Sequence, residues 1–385
     1  MSVASQAGPH RPPRRFGVEE EYLLLHASDG TPADRAAEMI RSVPDTHGSA
    51  EHEYFSSQLE TSSPVCSEAG EAEEALSAFR ISASEVAERR GLVLAGAGLP
   101  PVGGEEPGTV TPQERYRAIA GEMRDAAAHQ YVTGLHVHVE IPSRDAGVEA
   151  LLRLGRWAPA LLAMTANSPL WCGEPTGYAG WRYVTALSWP LSGYPPPFSS
   201  GAEYTLAVER LVSSGVLLDP GLVTWLARLS QNYPTLELRI ADAQLEVRDS
   251  VAFAVLVRAL VDHALSEVEA GAPQPEFSPG MVNGALWIAA RNGLASTLVD
   301  PLTADPVPAF EMLDRMVRSV ESELERHGDL ERVSAYLDRL RRSGGPARRQ
   351  LECFEESGIT GLLALYRGGS VESESGARQD SGTAA

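Results

Sequence analysis

The 385-residue chain contains no lysine: all 32 of its Lys and Arg positions are arginine. Chemistry that needs a lysine amine is thereby excluded. That removes a P-loop lysine on nucleotide phosphates, a pyridoxal-phosphate Schiff base and a lysyl-adenylate nucleophile. Any phosphate held here must be held by arginine, backbone N–H groups or metal ions. A GC-rich genome favouring Arg and Ala codons accounts for the omission, and the exclusion stands regardless.

Cysteine is scarce as well. Cys66, Cys172 and Cys353 are odd in number, far apart and outside any CxxC. The expectation is a reducing, cytoplasmic setting without a disulfide framework. Long apolar runs are missing too; none approaches the ~18 residues of a membrane span. The opening MSVASQAGPHRPPRR is basic but leads into no acid-free apolar stretch. It is therefore expected to be a disordered leader over 1–14, not a secretory signal. The Gly/Ser/Glu-rich end, 367–385, reads as a disordered tail. Positive charge is outweighed throughout: the net charge is −20. That argues against wrapping nucleic acid or lying on an anionic membrane. A small anionic ligand, gripped locally by arginine and metal, stays open.

What is present is a set of alternating strands. FGVEEEYLLL (16–25) reads as a strand with three consecutive glutamates at its centre, Glu19, Glu20 and Glu21. Carboxylates without partners are costly to bury, so something positive is expected to meet them. Further strands are expected over 51–63, 91–101, 131–142 and 233–242. Helices are expected over 34–43, 68–90, 113–128, 143–166, 202–214, 248–270, 281–293, 309–327, 329–342 and 345–365. The Gly/Pro/aromatic stretch 167–200 is long enough to be functional rather than filler. Strands dominate the first part and helices the last third, which predicts one α+β domain over 15–366.

Side chains i and i+2 on a strand share a face. Glu19 and Glu21 therefore point one way, and Val18, Glu20 and Tyr22 the other. His136, His138 and Glu140 share a face in GLHVHVEI; Gln58 and Glu60 share one in SSQLET; Glu237 and Arg239 share one in PTLELRIAD. Each polar face is backed by an apolar one. A half-exposed antiparallel strand also alternates this way, but solvated faces usually mix Lys, Thr, Ser and Arg, whereas these hold Glu, His and Arg. Several carboxylates with one imidazole suit Mg²⁺ or Mn²⁺ and phosphoryl transfer, with Arg239 stabilising the transferred group. His136, His138 and one glutamate would equally make a Zn²⁺ or Fe²⁺ site of a hydrolase or oxygenase. The residues alone leave both readings standing, beside that of a catalytically silent binding protein.

The order of FGVEEEYLLL, QLETSSPVC, TGLHVHVEIP, LLAMTANSPLW, TGYAGWR, GYPPPF and YPTLELRIAD resembles the carboxylate–amine ligases of the glutamate–cysteine ligase type 2 group. The resemblance runs from about residue 16 to about 365. It implies a curved, mostly antiparallel sheet forming a funnel, as in glutamine synthetase, with helices packed outside. It implies ATP and Mg²⁺ (or Mn²⁺) as cofactors. The activity implied is phosphorylation of the γ-carboxylate of glutamate and attack by an amine, by default cysteine, to give a γ-glutamyl amide, ADP and phosphate. Carried over by position, Glu19, Glu21, Glu60, His136 and Glu237 become metal ligands, and Glu53 a weaker candidate. His136, His138, Arg239 and Tyr178 become nucleotide contacts, and Arg239 and Arg182 catalytic groups. Packing is the alternative for Tyr178 and Trp181. Glu20, on the other face, is expected to meet an arginine or solvent, an ordinary surface charge being the preferred reading. The sequence departs from the resemblance in TWLARLS (Leu226, Leu229), at Gly180 and at Glu140, which puts the acceptor amine in doubt. Its partners are small molecules, and self-association as a homo-oligomer is a common habit of such families.

Overall fold

The computed structural model describes residues 13–44 and 49–371. Its strands are β1 (Phe16–His26), β2 (Glu51–His52), β3 (Gln58–Ser62), β4 (Leu92–Ala95), β5 (Gly134–Glu140), β6 (Leu170–Trp171), β7 (Glu174–Pro175), β8 (Ala227–Leu229) and β9 (Thr235–Asp242), with a further small pair, Thr297–Val299 and Pro306–Pro308, among the C-terminal helices. Seven of them form one sheet in the order β2-β3-β1-β5-β9-β8, with β4 paired to the second half of β1. Every pairing in it is antiparallel. The architecture is the expected α+β class: one antiparallel sheet with helices packed against it.

The sequence of β1 explains how the sheet is covered. Its apolar run Tyr22–Leu25 is buried on both faces. Tyr22 and Leu24 pack with Phe79, Val86 and Leu94, while Leu23 and Leu25 pack with Leu362 and Tyr366. Its first half is covered by helices on one side only, where Phe16 and Val18 join the main core. Helix Val247–Glu269 fills that core, with an almost unbroken buried stretch from Val247 to Leu265. The uncovered side of the first half is the side of Glu19 and Glu21.

Several expected elements are broken where the chain must turn. The strand over 51–63 splits into β2 and β3, because Tyr54 and Phe55 turn inward to an aromatic cluster. The helix over 113–128 breaks at Arg124, whose φ is +50°. The helix over 143–166 becomes Arg144–Leu154 and Ala158–Thr165, with Pro159 opening the second piece. The strand β8 lies in TWLARLS, where none was expected.

Most of the expected leader and tail lies outside the described residues. Where they enter, the expectation changes. Arg14 is buried and pairs with Asp262 at 2.6 Å, and the last helix runs on to Val371 with a kink at Gly358. Among the described residues no helix is long and apolar enough to cross a membrane.

Candidate active site

Strand register brings the acidic residues together. Glu19 lies opposite Ser62 on one side and His136 on the other, and Glu21 lies opposite Glu60. His138 faces Glu237 on β9, and Glu237 faces Arg228 on β8. A bulge between β5 and β9 at Leu135/Val137 shifts the pairing there, and Arg239 reaches His136, its Nη1 3.3 Å from Nδ1. Four strands thus aim Glu19, Glu21, Glu60, His136, Glu237 and Arg239 at one place.

Two triads have ligand atoms all within 4.8 Å of one another: Glu19, His136 and Glu237, and Glu21, Glu60 and His136. His136 belongs to both. Its Nδ1 is 3.2 Å from Glu19 Oε2 and its Nε2 3.5 Å from Glu21 Oε1. That Nε2 is buried without a hydrogen-bond partner. Burial, and then the charge of Arg239, lowers the His136 pKa to about 4. The ring is therefore neutral at physiological pH, the form that binds metals.

The carboxylates fall into two electrostatic kinds. Glu237 receives a two-pronged hydrogen bond from Arg228 at 2.7 and 2.9 Å and another from Arg239 at 2.5 Å. Burial opposes its charge, yet Arg239 and Arg228 hold its carboxyl well below the usual range. Burial likewise opposes Glu19, and hydrogen bonds with His136 and His138 pull it down. Glu21 is different. Burial, with the neighbouring charge of Glu53, pushes it up to about 8, although the Gly134 N–H donates to its Oε2 at 2.6 Å. Glu60 is raised well above its usual value by burial and then by Glu53 and Glu21. Burial also raises Glu53. This side of the cluster has more negative charge than the protein itself neutralises.

The cluster opens into a cavity of about 360 Å³ lined by Glu19, Glu21, Glu53, Glu60, His136 and Arg239, with Arg182, Arg228, Tyr54, Tyr116 and Trp189. Arg182 is buried behind it. Its Nη1 is 3.7 Å from Asp242, and its Nε has no partner. Gly134 makes room for it: a Cβ there would stand 2.4 Å from Arg182 Nη2. A second, mostly apolar cavity of about 260 Å³ adjoins at Glu19, lined also by His138, Val18, Pro64, Val65, Tyr233 and Pro234.

Some expectations need correction. Tyr178 does not line the site. It packs edge-on against Trp181 and Trp287, with ring centroids 5.1 and 5.7 Å away, and so serves packing. Glu20 is not a surface charge: it is 1% exposed and paired with Arg80 at 2.7 Å. Gln58 is absent from the cavity lining, its amide nitrogen donating to the Val132 carbonyl and its amide oxygen accepting from the Phe55 N–H. His138 stands at the rim, 3.1 Å from Glu19 and outside both triads, its Nδ1 3.0 Å from Thr235 Oγ1. Glu53, the weaker candidate, enters the cavity fully. Arg228 escaped notice although it lies between buried Ala227 and Leu229, an alternation that marks a strand. Tyr54, Tyr116 and Trp189 carried no local signal, since they meet from segments far apart in sequence.

The structure of glutamate–cysteine ligase from Francisella tularensis, in complex with AMP, matches with a TM-score of 0.68 at 11% identity, over 94% of this chain and 89% of that one. A bifunctional glutathione synthetase from Pasteurella multocida matches with a TM-score of 0.65 at 17% identity, over 94% of this chain and 53% of its own. These likenesses establish the fold. Sequence supplies the family. The family model for glutamate–cysteine ligase family 2 matches residues 15–367. A relative from Rhodopirellula baltica named "Putative glutamate--cysteine ligase 2" is 35% identical over 349 residues, 89% of this chain and 94% of its own. One from Mycolicibacterium vanbaalenii, "Putative glutamate--cysteine ligase 2-2", is 40% identical over 344 residues, 89% and 93%. The chain belongs to glutamate–cysteine ligase family 2 and is a carboxylate–amine ligase.

Proposed function

We propose that the chain is a single domain over 15–366 that couples ATP cleavage to amide formation. The γ-carboxylate of glutamate is joined to an amine through an acyl phosphate, and cysteine is the acceptor the family's name supplies. The observation that carries this reading is the convergence of Glu19, Glu21, Glu60 and His136 on one cavity, with Glu237 joined to them through the triad it forms with Glu19 and His136.

The donor set fits Mg²⁺ or Mn²⁺: four carboxylates, one neutral imidazole with an orphaned buried Nε2, and no thiolate. Glu19, His136 and Glu237 would hold one ion, and Glu21, Glu60 and His136 another. Bound there, divalent cations neutralise phosphate charge and polarise the γ-phosphoryl group. The excess negative charge around Glu21, Glu53 and Glu60 supports a cation requirement.

The nucleotide's base fits the apolar cavity, where Tyr233, Pro64 and Pro234 offer flat surfaces and His138 a polar edge. Glu19 lines both cavities, so the phosphate chain leads from one to the other. Arg239, fixed by Glu237, stands where charge builds on the transferred phosphoryl group. Arg182, with its unpartnered Nε, is placed to take the donor's α-carboxylate. In the first step a γ-carboxylate oxygen attacks the γ-phosphorus and ADP leaves. In the second the amine nitrogen attacks the acyl carbon, and phosphate leaves with that oxygen. The amine must also lose a proton. Glu53 lines the cavity, belongs to neither triad and is held above its usual range by burial, so it is placed to accept that proton. The three cysteines are all free, which fits a reducing, cytoplasmic setting.

The test is glutamate-dependent ADP release with Mg²⁺, using hydroxylamine as a small acceptor and mass spectrometry for the hydroxamate. Activity should survive a zinc chelator, because Mg²⁺ does not depend on it. Loss of activity with the chelator, or ADP release indifferent to glutamate, contradicts the reading. Arg239→Ala should lower ADP release far more than nucleotide binding.

A further inference from the structure

We propose that the acceptor is a primary amine carrying an apolar or aromatic substituent and no carboxylate. This rests on the ligase reading above and departs from it over cysteine. One wall of the larger cavity is aromatic: Tyr54, Tyr116 and Trp189, with Ile119 beside them. Tyr116 and Trp189 meet Tyr54 edge-on, with centroids 6.0 and 6.4 Å away. The polar ends of Tyr116 and Trp189 are tied to the protein. The Tyr116 hydroxyl donates to the His52 carbonyl at 3.0 Å, and Trp189 Nε1 donates to Gln130 Oε1 at 2.9 Å. Gln130 is itself fixed, its amide nitrogen donating to the Ser188 hydroxyl at 2.7 Å and to the Ala126 and Thr185 carbonyls. What this wall offers a ligand is π surface on a rigid mount.

The arginines around the wall leave no partner for a second carboxylate. Four arginines line the cavity, Arg115, Arg182, Arg228 and Arg239. Arg228 and Arg239 hold Glu237. Arg115 is forked onto Asp219 at 3.0 and 3.1 Å. Arg182 keeps the one guanidinium nitrogen among these four that is buried without a partner, and the donor's α-carboxylate uses it. An acceptor that is an amino acid would bring a further carboxylate to a cavity whose other arginines are already engaged by Glu237 and Asp219. A cationic amine is drawn by Glu53, which lines the cavity outside both triads, and rests on the ring faces until it gives up its proton. Its substituent takes the apolar surface of Ile119, Leu222 and Leu226.

The experiment pairs acceptors that differ only by a carboxylate: phenethylamine against L-phenylalanine, and cysteamine against L-cysteine. Full-length protein, ATP, Mg²⁺ and glutamate are used throughout, with hydroxylamine in parallel. Phenethylamine should exceed L-phenylalanine in kcat/KM by about tenfold or more, because only the amino acid brings a carboxylate that is desolvated without a partner. Trp189→Ala should raise the KM for phenethylamine by about tenfold with a smaller change in kcat, and Trp189→Phe should recover most of it. If hydroxamate forms but both amino acids outperform their decarboxylated partners, the acceptor proposal is wrong and the ligase reading stands. If no hydroxamate forms, the ligase reading falls and the proposal with it. A KM unmoved by Trp189→Ala also overturns the proposal.

Discussion

Glu20 and Glu21 are adjacent on one strand, yet they sit in opposite electrical worlds. Glu20 meets Arg80 through two hydrogen bonds, at 2.7 and 3.1 Å, and also accepts from the hydroxyls of Tyr22 and Ser250. Arg80 is completed by the Leu245 and Gln244 carbonyls at 2.9 and 3.0 Å. Glu21 accepts from one backbone N–H, and its nearest charged neighbours include Glu53. The protein closes the circuit behind the sheet and leaves it open in front. A fold neutralises a carboxylate it needs for packing, whereas one that must take a cation from solution stays uncompensated.

The largest effect should come from breaking the closed side. Arg80→Ala leaves Glu20 buried and unpaired, and should cost about 3–5 kcal/mol in denaturant unfolding. A cost below about 1 kcal/mol would remove the contrast. Glu21→Gln on the open side should lower ligation about 100-fold or more while leaving unfolding unchanged or slightly later. Mg²⁺ at a hundredfold excess over its Kd should stabilise the unaltered protein by about 2.7 kcal/mol, and Glu21→Gln should remove much of that shift. Unfolding of Glu21→Gln where the unaltered protein is stable would make Glu21 structural.

The contrast also has a pH signature. Glu21 has its pKa raised from 4.5 to about 8. Between these values the folded state keeps a proton that the unfolded state has released. Stability of the cation-free protein should therefore fall as pH rises through that window, and Glu21→Gln should flatten the fall in a melting series. The smallest effect belongs to a third glutamate near these strands. Glu140 pairs with Arg15 at 2.8 Å, and Arg15 is 59% exposed. Arg15→Ala should leave denaturant unfolding close to unchanged; a loss comparable with that of Arg80→Ala would mean that exposed and buried pairs here do not differ as supposed.

Much of the site was legible because a strand has a period of two. That period alone put Glu19 with Glu21, Glu237 with Arg239, and His136 with His138 on shared faces. It left Glu20 between an arginine and solvent and favoured solvent, since the same alternation that turns Glu20 away from the cavity does not reveal that Arg80, sixty residues on, is waiting there. It failed for Tyr178, where an aromatic in a Gly-rich segment finds Trp287 rather than a ligand. Arg228 was within reach of the pattern, but a three-residue strand is too short to stand out.

By itself the sequence determined which residue types could act: no lysine, few thiols, and carboxylates, histidines and arginines set on alternating strands. Those are local properties, fixed by composition and by the geometry of an extended chain. Tertiary structure decided which carboxylate receives an arginine and which is left facing its own kind. It also decided that Tyr54, Tyr116 and Trp189 form one wall. Such choices depend on register and on contacts between segments tens of residues apart, and no local pattern carries that information.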